Sequence, residues 1–233
     1  MFKFYNIFKK EVSRIKKDEP YYHNHGKVWR YFFKWRKLVY SNSVDARLPW
    51  ISFPVIEFLD NTVKPGSRVF EFGGGGSSVY FIDKGAEVYT VEHNKEWFGI
   101  LSDKLKSSNK WHGIFVTPEK DDSFVENFSN PDLYFSADKD YKGYNFKAYA
   151  SSIDQYDLFD FVLVDGRARP SCMKHGIAKL KSGGYLILDN SDRAYYTDPF
   201  AGVLKNDFKE IINFSGPTPF CSWFNRTSVW QKK

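Results

Sequence analysis

Three groups of residues in this 233-residue chain have types and spacings that could do chemistry. The first is Val69-Phe-Glu-Phe-Gly-Gly-Gly-Gly-Ser-Ser78, in which Glu71 precedes a run of four glycines. Glycines let a backbone approach a ligand closely, and the helix that follows, from Ser77, offers free N–H groups. Four consecutive glycines also carry a backbone entropy cost that a bare strand-to-helix turn does not need. The second is Val88-Tyr-Thr-Val-Glu92, whose terminal acid lies 21 residues after Glu71. In doubly wound folds an acid at about that distance accepts hydrogen bonds from ribose hydroxyls. The pattern G-x-G-x-x-G, counted from Gly73 through Gly75, requires a third glycine where Ser78 stands, which disfavours a nicotinamide cofactor.

The third group joins Asp165-Gly-Arg-Ala-Arg169 to Asp189-Asn190. Asp165, Asp189 and Asn190 are hard oxygen donors of the kind that hold Mg²⁺. The alternative is that Asp165 only borders the ligand while Asp189 and Asn190 cap the next segment. Arg167 or Arg169 could hold an anionic group on a substrate. No G-x-S-x-G, H-E-x-x-H or paired C-x-x-C occurs. His23 and His25 read as solvated loop residues, His93 as a neighbour of the ligand, and His175 as surface or core.

The elements that must position these residues follow from periodicity. Apolar strands are predicted at 68–72, 87–92, 111–117, 160–165 and 185–189, with one or two more within 221–231. Helices are predicted at 51–61, 77–84, 94–107, 170–180 and 200–212. Residues 45–50 read as a loop. The alternation predicts an α/β fold, a doubly wound, Rossmann-like, mostly parallel sheet with helices on both faces, and ligands at the strands' carboxyl ends. Residues 120–157 form a long insertion near the active site, closing in a helix at 146–153. Ahead of this lies an N-terminal helical extension. Residues 1–17 present Phe4, Ile7, Phe8, Val12 and Ile15 at helical spacing, and residues 27–40 read as a second, aromatic helix. The expected organisation is a basic aromatic arm, 1–47, and a main domain, 48–233.

Charge follows the same division. The chain carries +6, but residues 1–40 hold eleven Lys or Arg against three acids, leaving the remainder at −2. A body near neutrality argues against a broad nucleic-acid groove there. The arm has three readings: a solvated helix packing its aromatic face on the body, an interfacial helix on an anionic membrane through residues 1–17, or a nucleic-acid contact. Two cysteines form no disulfide framework, and neither a signal peptide nor an 18-residue apolar run is visible, so the expectation is a cytoplasmic protein.

The segment Glu71-x-Gly73-x-Gly75 with Glu92 resembles the first motifs of class I S-adenosylmethionine-dependent methyltransferases. That resemblance covers residues about 65–232. It implies S-adenosylmethionine as cofactor, Glu71 at its amino-acid end, Gly73, Gly75 and Ser77 beneath it, and Glu92 on its ribose, with Asp165 alongside. Leu180-Lys-Ser-Gly-Gly184 followed by Asp189-Asn190 is similar to metal-dependent small-molecule and sugar O-methyltransferases. There an Asp ends the fourth strand, and the resemblance implies catalysis by Asp165 and Asp189 on a bound Mg²⁺, with Arg167 on the substrate. The chain departs from the catechol-type enzymes at Ala168, where they carry a Lys. Leu48-Pro-Trp50, Val164-Asp-Gly-Arg and Leu188-Asp-Asn-Ser-Asp-Arg193 look like a bacterial group of class I methyltransferases associated with surface glycans, which implies glycan modification and a saccharide acceptor. Aminopropyl transfer, RNA methylation and non-catalytic binding of S-adenosylmethionine remain as alternatives. The Asp-Ser-Ser-Asp of the first and the Asn-Pro-Pro-Tyr of nucleic-acid amino-methyltransferases are absent after strand four.

Overall fold

A computed structural model describes residues 2–233. Seven strands among the described residues make the main sheet: β1 (Arg68–Phe72), β2 (Glu87–Glu92), β3 (Trp111–Phe115), β4 (Phe159–Val164), β5 (Leu180–Asp189), β6 (Phe208–Ile212) and β7 (Phe224–Lys232). Their order is β3-β2-β1-β4-β5-β7-β6. The first five run parallel, and β7 is antiparallel to both β5 and β6. A short strand, Ser215–Pro217, pairs with the start of β7.

Side chains on successive strand residues point to opposite faces, so one sequence feeds two cores. Val69, Val88, Phe161, Leu163, Ile187 and Val229 pack on one face with α1 (Phe2–Asp18), α2 (Phe32–Leu38), α4 (Phe53–Thr62) and α5 (Gly76–Asp83). Phe70, Phe72, Val162, Val164, Leu186 and Leu188 pack on the other with α7 (Lys147–Ser151) and α8 (Arg169–Ala178). Between them in the chain stand α3 (Ser43–Ala46), against α5, and α6 (Lys95–Leu105), beside β2 and β3. After β5 come α9 (Ala194–Thr197) and α10 (Ala201–Asp207).

The N-terminal arm is part of the first core. Phe8, Val12 and Ile15 are buried in the same cluster as the sheet residues. The Phe8 ring centroid lies 4.8 Å from that of Phe224 at the head of β7. Trp35 Nε1 donates to Cys221 O at 3.0 Å, and Phe224 N donates to Glu11 Oε2 at 2.8 Å. Buried Glu19 accepts from Ser215 N at 2.8 Å and from Arg226 Nη2 at 2.8 Å. The face of α1 proposed to lie on lipid is therefore taken up by the body. No helix among the described residues is long and apolar enough to cross a membrane.

Three expectations are corrected. The predicted helix 200–212 ends at Asp207, and Phe208–Ile212 is strand β6. Phe208, opposite Lys232, buries against one core, and a register shift between Trp230 and Val229 turns Ile212, opposite Val229, to the other. The predicted helix 27–40 divides into a 3₁₀ segment, His25–Tyr31, and α2. The predicted loop 45–50 begins inside α3, because the Asn42 side chain caps it, accepting from Val44 N at 2.8 Å.

Candidate active site

The glycine run turns β1 into α5, and its four members serve different ends. Gly73 has φ +90°, and a Cβ there would lie 2.9 Å from Gly166 Cα. A Cβ on Gly74 would lie 2.5 Å from Thr90 Cγ2, and one on Gly76 would collide with the carbonyls of Leu48 and Ser43. These three glycines let the turn pass between β2, β4 and α3. At Gly75 the nearest heavy atom to a Cβ is Trp97 Cζ2 at 3.8 Å, so only there does the missing side chain leave open space. Trp97 steadies the turn, donating from Nε1 to Gly74 O at 2.7 Å.

The turn floors a cavity of about 880 Å³ at the carboxyl edge of the sheet. Gly73, Gly75, Ser77, Glu92, Asp165, Arg167, Asp189 and Asn190 all line it. Glu71 does not; it is fully buried beneath the turn, where Thr90 Oγ1 donates to its Oε2 at 2.9 Å. Its Oε1 has no partner among the described residues, and burial pushes its pKa up to about 7. Glu92 is held differently. Burial opposes its charge, but the His93 side chain and the backbone N–H groups of Asn94 and His93 outweigh burial and keep the carboxyl below its usual range. Its Oε1 accepts from His93 N at 2.7 Å and Asn94 N at 2.8 Å, and its Oε2 from Gly74 N at 3.3 Å. An ionised carboxylate thus stands in the cavity wall next to the glycine turn.

Asp165, Asp189 and Asn190 do converge, but around an arginine. Arg169, buried at the start of α8, donates from Nη2 to Asp165 Oδ1 at 3.0 Å and from Nη1 to Asn190 Oδ1 at 3.0 Å. It also donates to the carbonyls of Asp165, Gly166 and Asp189. Asp189 Oδ2 lies 3.9 Å from its guanidinium, and Asp189 Oδ1 accepts from Thr227 Oγ1 at 2.7 Å. The three donors do not fit a divalent ion, because a fixed cation already occupies the space between them. In place of the expected Mg²⁺, the structure places the Arg169 guanidinium beside these donors. Arg169, weighed from sequence as a substrate-binding residue, proves to be their centre. Burial and the neighbouring Asp189 charge raise the pKa of Asp165, whose side chain is 29% exposed toward the cavity.

The insertion reaches the site through Tyr141, which lines the cavity, and Asp138, which pairs with Arg167 at 2.8 Å. A second cavity of about 360 Å³ shares Arg167, Asn190 and Arg193 with the first. Sequence reasoning missed Trp97, Arg193, Trp50 and Trp223. All four line the first cavity; Trp50 and Arg193 stand in segments that carried only a family resemblance, Trp97 and Trp223 in no motif, and only the fold brings them to the strand ends.

No protein-family model matches the chain, and no curated protein matches it in sequence. Solved structures do. A putative rRNA-methylase from Clostridium thermocellum has a TM-score of 0.50 at 12% identity, over 78% of this chain and 96% of its own. A TehB-like SAM-dependent methyltransferase from Corynebacterium glutamicum has a TM-score of 0.48 at 14% identity, over 90% of this chain and 100% of its own. TrmN from Thermus thermophilus has a TM-score of 0.48 at 13% identity, over 77% of this chain; the chain spans 47% of TrmN's length. The first of these identifies the fold as the Rossmann-like fold of methyltransferases.

Proposed function

We propose that this chain is an S-adenosylmethionine-dependent methyltransferase that methylates a hydroxyl of a small molecule or sugar. The observation that carries the reading is the meeting of the open face of Gly75 and the ionised Glu92 in one cavity at the strands' carboxyl ends. Glu92 would accept hydrogen bonds from the ribose, Gly75 would lie against the ligand, and the unpartnered Oε1 of Glu71 would face its amino-acid end through the turn. The cofactor supplies an electrophilic methyl group when bound. The protein must then align an acceptor and take its proton. Asp165 suits that role by position, since its partly exposed carboxyl borders the cavity and Arg169 fixes its orientation. Trp50 and Trp223, 45% and 53% exposed at the cavity wall, would suit stacking against a sugar ring. Two buried thiols, Cys172 and Cys221, suit a reducing, cytoplasmic setting.

Calorimetry with S-adenosylmethionine and with its decarboxylated form tests this. The reading expects saturable binding of the first in preference to the second, and Glu92→Ala should weaken it by about 1.5–3 kcal/mol, the range for hydrogen bonds to a charged group. Unchanged affinity in a folded Glu92→Ala protein, or preference for the decarboxylated form, would overturn it.

A further inference from the structure

The two cavities differ in charge. The larger cavity is lined by five acids, Glu92, Glu96, Asp165, Asp189 and Asp192, against Arg167, Arg169 and Arg193. The smaller one is lined by Arg167, Arg169 and Arg193 against one acid, Asp138. Arg169 is fully engaged by the ends of β4 and β5. Arg167 pairs with Asp138, but its Nε is buried without a partner among the described residues. Arg193 donates from Nη1 to Tyr196 Oη at 2.9 Å and has no carboxylate partner among the described residues. A guanidinium carries five donors in a fork that matches an oxyanion, so Arg193 has donors in excess of what the protein accepts. Two non-glycine residues bordering this lobe, Ala168 at φ +45° and Asn190 at φ +52°, hold left-handed backbone, the kind of strain that persists where surrounding structure over-determines it.

We infer that the smaller cavity is an oxyanion subsite, in which Arg193 and Arg167 hold a phosphate or carboxylate group of the acceptor. Occupancy there would set the acceptor's hydroxyl toward Asp165, a consequence that rests on the methyltransferase reading; the anion subsite itself does not. The test is titration of the full chain with inorganic phosphate and with acetate, against chloride at equal ionic strength, read by calorimetry or NMR. Saturable binding of either supports the subsite, and the tighter of the two names the group. Arg193→Gln should weaken it about tenfold or more, the equivalent of one charge-assisted contact. Arg193→Lys should recover part of that loss. Asp138→Asn, which releases Arg167, should tighten binding several-fold. No saturable binding, or equal binding by Arg193→Gln and Asp138→Asn proteins that unfold as cooperatively as the parent, would overturn the inference. S-adenosylmethionine affinity, measured separately, reports on the methyltransferase reading alone.

A different observation carries a second inference. Although α1 buries Phe8, Val12 and Ile15, four aromatic side chains where α1 meets α2 stay in solvent: Phe2, Tyr5, Phe33 and Tyr40, at 85%, 44%, 73% and 73% exposure. Tyr5 touches Phe32, beside Phe33, and Phe4 touches Tyr40, which brings Tyr5, Phe33 and Tyr40 to the seam between the two helices. Exposed Lys3 and Lys37 accompany them, while the Lys34 ammonium lies over Phe53. Rings with a lysine fringe match the boundary of an anionic bilayer, where the rings enter the headgroup layer and the ammonium groups meet lipid phosphates. We propose that this region rests on an anionic membrane surface. Co-sedimentation with vesicles of phosphatidylglycerol and phosphatidylcholine should exceed that with phosphatidylcholine alone and weaken at high salt. The surface double variant Phe33→Ser/Tyr40→Ser should lose it at least fivefold. Absence of binding at low salt, equal binding by the variant, or a concentration-dependent dimer that the variant abolishes would overturn the proposal.

Discussion

Glu71 is the residue whose environment makes the sharpest prediction. Its pKa of about 7 lies above the usual 4.5 because the group is wholly buried and only partly hydrogen-bonded. The folded state therefore holds the proton more tightly than the unfolded chain does. The stability this provides is complete below about pH 4.5 and is lost as pH rises through about 7. Glu71→Gln removes the titration while keeping an acceptor for Thr90. The variant's stability relative to the parent should rise by about 3 kcal/mol between pH 4.5 and 8, the value of that pKa difference. Denaturant unfolding at both pH values measures it, and a flat difference would refute the assignment. The glycines make a paired prediction. Gly75→Val should abolish S-adenosylmethionine binding with little loss of stability, since its Cβ has room. Gly73→Val should destabilise the fold, because its φ of +90° and its contact with Gly166 leave no place for a side chain.

At the scale of elements, one arginine joins three of them. Arg169 ties the start of α8 to the ends of β4 and β5 through five backbone or side-chain acceptors. Removing it leaves buried Asp189 and half-buried Asp165 without their cation. Arg169→Met should cost about 3–5 kcal/mol in denaturant unfolding, the usual loss when one partner of a buried pair is deleted. The same geometry bears on metals. Because the guanidinium already stands among Asp165, Asp189 and Asn190, the methyl transfer proposed above should keep its rate in excess chelator. A loss restored by Mg²⁺ would show that the ion displaces the arginine.

For the whole molecule, the arm and the sheet share one core. Phe8 contacts Trp29, Phe32, Trp35 and Phe224, rings from both the arm and β7. Phe8→Ala should therefore lower global stability by about 3–5 kcal/mol, as for large-to-small changes in a well-packed core, with a single unfolding transition. Unfolding in two steps, with the sheet melting unaffected, would show that the arm is a separate unit.

Local patterns determined much of this protein. The strands ending at Phe72 and Glu92 were legible to the residue, because short apolar runs bounded by Gly, Pro and acids have few other uses. The positions of Glu92 and Asp165 at one sheet edge followed from the parallel topology that the alternation implied. What sequence left open concerns side chains whose partners lie far away along the chain. Asp165, Asp189 and Asn190 have the types of metal ligands, and their types are silent about which cation stands between them; the fold supplies Arg169 from α8. The periodic face of α1 is compatible with lipid, solvent or a core, and the choice was made by Phe224, some two hundred residues distant. Residues 208–212 have the composition of a helix end, and they became a strand because β7 presented a free edge to pair with. Spacing fixes which backbone a segment can adopt, whereas the cation beside a carboxylate and the surface beneath a helix are properties of contacts made only once the chain has closed.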